Sequence, residues 1–409
     1  MNKIVFGPRT LSRLHREPLG FYIDSYLELL TEQGFSQQSA EEQVRVIIDF
    51  NRWLAENGYK AEDVSEERAD QFLKNRYLHR RPLNGDSAAL HRLNDVLCRI
   101  GVISFHVAPM GTRDKLLDDF RLYLTHERTL RESTSKIYLS YVRKFLEVKF
   151  SGLTIDFSKL CAQDITGFVR LHAQDHSHSF AKSMTKALRS FLRYLHFRGD
   201  LTADLAPCVP AVASWSLSDI PKFLEPDQIE QVLDHCNLQV ATGLRDHAIL
   251  LLLARLGLRA CEVAFLKIDD IDWEAGQITV HGKGGPSDQL PLPADVGKAI
   301  AIYLQRGRPT CASRHVFVRA KAPRRELSGA GAICLVVKRA LARAGINSQR
   351  KGAHLFRHGL ATEMLRRGGS LSDIGAILRH RDPNTTAIYA KVDLTALREL
   401  ARPWPGGEL

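Results

Sequence analysis

The chain has 409 residues, 44% hydrophobic and 25% charged, the make-up of an ordered globular protein too long for a single core. Its 57 lysines and arginines exceed its 46 acids, a formal charge of +11 that suits a polyanionic partner, because each phosphate neutralised releases condensed counterions. Seven scattered cysteines without a CxxC pair argue against a disulfide framework or zinc knuckle, and the longest apolar run, Ala248–Ala254, is far too short to span a bilayer, so a soluble intracellular protein is expected.

Residues 1–105 and 110–206 read as two helical domains, 207–221 as a linker with several prolines, and 222–409 as a mixed domain. The two helical domains look like copies of one unit. A shift of about 95 positions lays Ile47 on Val142, Phe50 on Phe145, Phe72 on Phe168, Leu93 on Leu188, Val96 on Phe191 and Ile100 on Leu195. Spacings such as Leu188, Phe191, Leu192 and Leu195 follow the period of a buried helical stripe, although any two amphipathic bundles can be laid together in this way. Lys182, Lys186, Arg189 and Arg193 form one basic helix face, either DNA-facing or merely solvated.

In the third block, helices are expected over Gln228–Leu233, Asp246–Leu256, Gly331–Ala344, Ala353–Arg367 and Leu371–Leu378. Short strands are expected at Ile271–Trp273, Gln277–His281 and Asp288–Leu292, joined by turns at Glu274–Gly276 and Lys283–Pro286. The fold class is therefore mainly α with a small antiparallel β-sheet in the C-terminal domain.

Three charged segments of this block stand out: Gly257-Leu258-Arg259-Ala260-Cys261-Glu262, His354-Leu355-Phe356-Arg357-His358, and Leu378-Arg379-His380 followed by Tyr389. Each has a plain explanation by itself. Arg259 and Glu262 are spaced for an ion pair, and Glu262 suits orienting Arg259 or a neighbouring helix. His354 and His358 have metal-ligand spacing, but no HExxH glutamate or third ligand accompanies them, so no metal or cofactor is expected. Lys283 in a glycine-rich turn and a lone tyrosine are ordinarily inert. Asp269, Asp270 and Asp272 are the only dense acidic group, beside a strand and turn.

Taken together and in order, these residues resemble the catalytic set of the tyrosine recombinase (phage integrase) family. Its G-L-R-x-x-E arginine, hairpin lysine, H-x-x-R helix, later histidine and tyrosine nine residues on match Arg259, Lys283, His354, Arg357, His380 and Tyr389. The second block looks like the family's helical, SAM-like core-binding domain. Four residues depart from the commonest pattern: Arg379 stands where glycine often caps a helix, Gly359 where Ser or Thr is frequent, and Ser287 and Asp288 where basic residues often follow the lysine.

The resemblance implies a metal-free, ATP-independent strand transfer through a 3′-phosphotyrosine in integration, excision or transposition of a mobile element. Arg259 and Arg357 would clamp the phosphate oxygens and His380 would add a hydrogen bond. Lys283 would protonate the departing 5′ oxygen, and His354 would exchange a proton with the Tyr389 phenol. The Val392–Leu400 segment, with Leu394, Leu397 and Leu400 as a stripe, would dock on a neighbouring subunit to build a homotetramer on two double-stranded DNA sites. Partner recombinases, and a bacterial cytoplasmic location with the nucleoid, fit the same reading. The rivals are a type IB topoisomerase and a catalytically inactive DNA-binding protein.

Overall fold

Serine side chains cap three of the helices that the apolar periods of the first two blocks predict, at Ser36, Ser65 and Ser177. The computed structural model describes residues 4–83, 85–103, 111–150, 155–174, 176–213, 220–282 and 287–392. The first block comprises α1 (Pro8–Leu14), α2 (Ile23–Glu32), α3 (Gln37–Glu56), α4 (Glu66–His79) and α5 (Asp86–Arg99). The Ser36 hydroxyl accepts from the Ser39 amide to start α3, and Ser65 caps α4 in the same way. The second block comprises α6 (Thr112–Leu122), α7 (Glu132–Lys149), α8 (Ala162–Gln174) and α9 (His178–Arg198).

The blocks repeat an element order. A 3-10 turn, Ala61–Asp63 in one and Phe157–Lys159 in the other, separates α3 from α4 and α7 from α8. Ile47 and Val142, Phe50 and Phe145, Phe72 and Phe168, Leu93 and Leu188, and Val96 and Phe191 are buried on both sides. One expected match fails: Ile100 is 45% exposed while Leu195 is buried. The reason is length, since α5 ends at Arg99 whereas α9 runs on to Arg198. The first and third blocks fall in one compact unit, Met1–Ser104 with Leu217–Leu409, and Phe105–Ser216 forms another.

The third block carries α10 (Pro226–Asp234), α11 (Ala241–Leu256), α12 (Ala260–Phe265), α13 (Ala294–Ile302), α14 (Ala330–Arg343), α15 (His354–Arg366) and α16 (Leu371–Ile377). Strands β1 (Ile271–Asp272), β2 (Gln277–His281) and β3 (Ser287–Pro291) make one antiparallel sheet, in which Val280 pairs with Asp288. The third strand starts one residue earlier than the sequence suggests. Helix α11 is buried almost all round, which places it at the centre of the core. Two helices are not expected from the sequence: α12 is only six residues long, and α13 is a nine-residue helix whose buried Val296, Ala299 and Ile300 make a short stripe.

Gly359 has a packing reason. A Cβ there would meet the Leu224 carbonyl oxygen at 2.7 Å and Ile229 Cδ1 at 3.3 Å, so glycine lets α15 lie close against the chain entering α10. Gly359→Ser, which restores the family's frequent residue, is expected to destabilise the protein by about 1–3 kcal/mol. Denaturant unfolding would check this; an unchanged midpoint would remove the packing argument.

Candidate active site

Four segments of the third block converge on a cleft of about 380 Å³. The first is set by the end of α11. Gly257 closes that helix with φ of +56°, and a Cβ there would meet Leu378 Cδ2 at 2.9 Å and Leu360 Cδ2 at 3.0 Å. Two residues on, Arg259 caps α12. Its backbone N–H donates to Glu262 Oε2 (2.8 Å) and its Nη1 to Oε1 (2.7 Å), so the buried Glu262 holds both ends of the arginine. Its Nη2 also donates to the Arg379 carbonyl (3.1 Å).

Helix α15 supplies His354, Arg357 and His358. Arg357 is buried, with Nη1 donating to the Gly257 carbonyl and Nη2 to the Leu378 carbonyl, which ties α15 to the ends of α11 and α16. Each of those nitrogens has a second N–H. Burial, and then the charges of Arg259 and Arg379, bring its pKa down to about 10, so it remains a cation at neutral pH. Past α16, His380 Nδ1 lies 2.8 Å from Thr386 Oγ1. A donating hydroxyl there leaves the ring proton on Nε2.

Tyr389 sits in a 3-10 turn, Ala387–Val392, with its ring buried against Ala361, Ile374 and Leu378. Its phenol oxygen is 2.9 Å from Nδ1 of His358. The imidazole bonded to the phenol is thus His358 and not His354, whose ring centroid stands 6.0 Å from that of His358. The two histidines are one helical turn apart, and the approach of the Tyr389 turn selects between them. Burial pushes the phenol up to about 12, against the lowering pull of Arg357. Burial, then the charges of His354, Arg357 and Arg350, pull His358 down to about 4. At neutral pH both groups are therefore uncharged, and in the tautomer with the ring proton on Nε2 the phenol donates to His358 Nδ1. His380 is also held near 4, by burial first and then by Arg357 and Arg259, and His354 is lowered mainly by burial.

Lys222 and Arg350 border the same cleft, and among its described lining residues there is no carboxylate. Four cations without an acid suit an anion such as a phosphate diester. Lys222, Arg350 and Thr386 lie in segments without periodic signal, so sequence reasoning could not single them out. Lys283, residues 393–400 with the expected tail stripe, and residues 214–219 of the expected linker lie outside the described residues. The acidic trio has structural partners: Asp269 pairs with Arg314, Asp270 accepts from the Lys267 amide and lies 2.9 Å from His281 Nε2, and Asp272 holds the Glu274–Ala275 turn. Among the described residues, no three His, Cys, Asp or Glu side chains group as metal ligands.

On α9, Lys182, Lys186 and Arg193 are exposed, but Arg189 does not belong with them as a solvent-facing contact. Its Nη2 donates to the carbonyls of Val209 and Pro210, both at 3.0 Å, fastening the following chain to the helix.

Residues 222–395 match the model of the phage integrase family. A Sinorhizobium fredii chain of the integrase/recombinase class, y4rA, is 45% identical over 99% of both chains. The tyrosine recombinase XerD of Listeria monocytogenes is 31% identical, covering 70% of this chain and 96% of that one. The chain belongs to the tyrosine recombinase (phage integrase) family. Members of the family are site-specific recombinases, and the chain is an enzyme of DNA recombination. The XerH site-specific recombinase, solved bound to its difH substrate, shares the fold with a TM-score of 0.57 at 19% identity, covering 79% of this chain and 90% of that one.

Proposed function

We propose that this recombinase cuts and rejoins DNA by transferring a strand to Tyr389 through a 3′-phosphotyrosine, without metal or ATP, to move a mobile element. The observation that carries the reading is the phenol's place: it lies with Arg259, Arg357 and His380 in a cleft whose described lining holds no carboxylate, bonded to a neutral imidazole. The phenol oxygen attacks phosphorus while its proton passes to His358. The P–O5′ bond breaks, and Lys283 protonates the 5′ oxygen as it leaves. Arg259 and Arg357 donate to the non-bridging oxygens, and His380 adds a hydrogen bond. The ester keeps the energy of the phosphodiester, so a 5′ hydroxyl from a second duplex can reverse the attack and complete exchange. The exposed Lys182, Lys186 and Arg193 would meet DNA phosphates, positioning the duplex without reading its sequence.

The test is a nicked duplex carrying a site selected from random duplexes by the full chain. In EDTA it should trap protein on the 3′ phosphate. Relaxation of a supercoiled plasmid lacking the site would instead favour a monomeric topoisomerase. Exchange is proposed to run in a homotetramer on two sites, joined by the segment after Val392. Deleting that segment should leave single-site gel shifts intact while abolishing synapsis; unimpaired synapsis would rule out the tail as the joint.

A further inference from the structure

Two of the departures from the family pattern, Arg379 and Asp288, meet in space. Arg379 stands at φ +56° just past α16, where its N–H donates to the Ala376 carbonyl (3.0 Å) and the His380 N–H to the Gly375 carbonyl (2.9 Å). This is the helix-ending turn in which glycine is usual, and a side chain there strains the backbone. The guanidinium is nonetheless buried, at 7% exposure, and its Nη2 donates to Glu262 Oε2 (2.7 Å). Its Nε stands 3.6 Å from Asp288 Oδ2 on β3, beyond hydrogen-bond reach, and Nη1 has no hydrogen-bond partner. Its carbonyl accepts from Arg259 Nη2.

We propose that Arg379 is a positioning residue that fixes Arg259 through Glu262 and, through Asp288, ties it to the strand that follows Lys283. One carboxylate, Glu262, then serves two arginines, and the placement of β3 is felt at Arg259. A strained residue in a position that glycine would fill without strain is explained by this contact. The inference rests on the strand-transfer reading for its catalytic consequence.

The experiment uses the full chain and the selected nicked duplex. Arg379→Gly removes the guanidinium and relieves the backbone, so its melting temperature should match or exceed the parent's. DNA affinity should also stay, while single-turnover adduct formation falls about 10-fold, with partial recovery in Arg379→Lys. Asp288→Asn should slow the same step two- to five-fold and add nothing to Arg379→Gly in the double variant. In the DNA-free protein, the ¹⁵N signals of the Arg259 guanidinium should exchange faster with solvent in Arg379→Gly. Parent-like cleavage by Arg379→Gly, or independent additive losses in the double variant, overturns the proposal, as does unchanged Arg259 exchange. If the parent forms no adduct, the strand-transfer reading fails, and the exchange measurement alone still decides whether Arg379 positions Arg259.

Discussion

Tyr389→Phe is expected to bind the selected DNA as the parent does and to form no covalent adduct with it. The lost oxygen is the phenol atom 2.9 Å from His358 Nδ1, in a cleft also lined by Arg259 and Arg357. Packing should change little, because the ring stays in its apolar nest of Ala361, Ile374 and Leu378 and only the bond to His358 is removed. Denaturing gels of the nicked substrate measure the adduct; its persistence in Tyr389→Phe would end the nucleophile assignment. His358→Gln tests the proton's destination in the same assay. A phenol held near 12 needs a base, and an imidazole held near 4 is neutral and able to serve at neutral pH. Loss of this base is expected to slow adduct formation by roughly 10²–10⁴-fold. The sign of the pH dependence follows: protonation removes the acceptor, so the rate falls on the acid side, at or above that value once an anionic phosphate is bound. An equal loss in His354→Gln with none in His358→Gln would transfer the role to His354.

Arg259 and Arg357 are expected to fail in different ways, although both line the same cleft. Arg259→Ala should lower single-turnover cleavage by roughly 10²–10³-fold, the usual effect of removing one oriented donor, with a small change in stability. Glu262 then keeps two partners, the backbone N–H of residue 259 and Arg379. Arg357→Ala should cost the same catalytic interaction and, in addition, roughly 3 kcal/mol of stability. Its guanidinium satisfies the buried carbonyls of Gly257 and Leu378 and holds three helix ends together. Calorimetric melting beside the cleavage assay separates the two. Equal melting temperatures for both variants would show that the carbonyl bonds of Arg357 contribute little to the fold.

Much of this protein can be read without coordinates. Apolar period marks α14 and the repeated helices of the first two blocks, because burying one face of a helix dictates side chains three and four apart, while a continuous apolar run marks the centrally buried α11. The order Arg259, Lys283, His354, Arg357, His380 and Tyr389 points to the family to which the chain belongs, since few side chains are suited to clamping or attacking a phosphate. Those properties belong to residue types and to local spacing. What the tertiary structure decided is which groups meet. The choice of His358 over His354 depends on where the Tyr389 turn crosses α15, and the loss of Arg189 from the basic face depends on a chain that doubles back over α9. The pairing of Arg379 with Asp288 joins residues 91 positions apart (379 − 288) through a sheet edge and a helix end. Contacts of that kind are set by the convergence of separate segments, and no period or motif along the chain carries them.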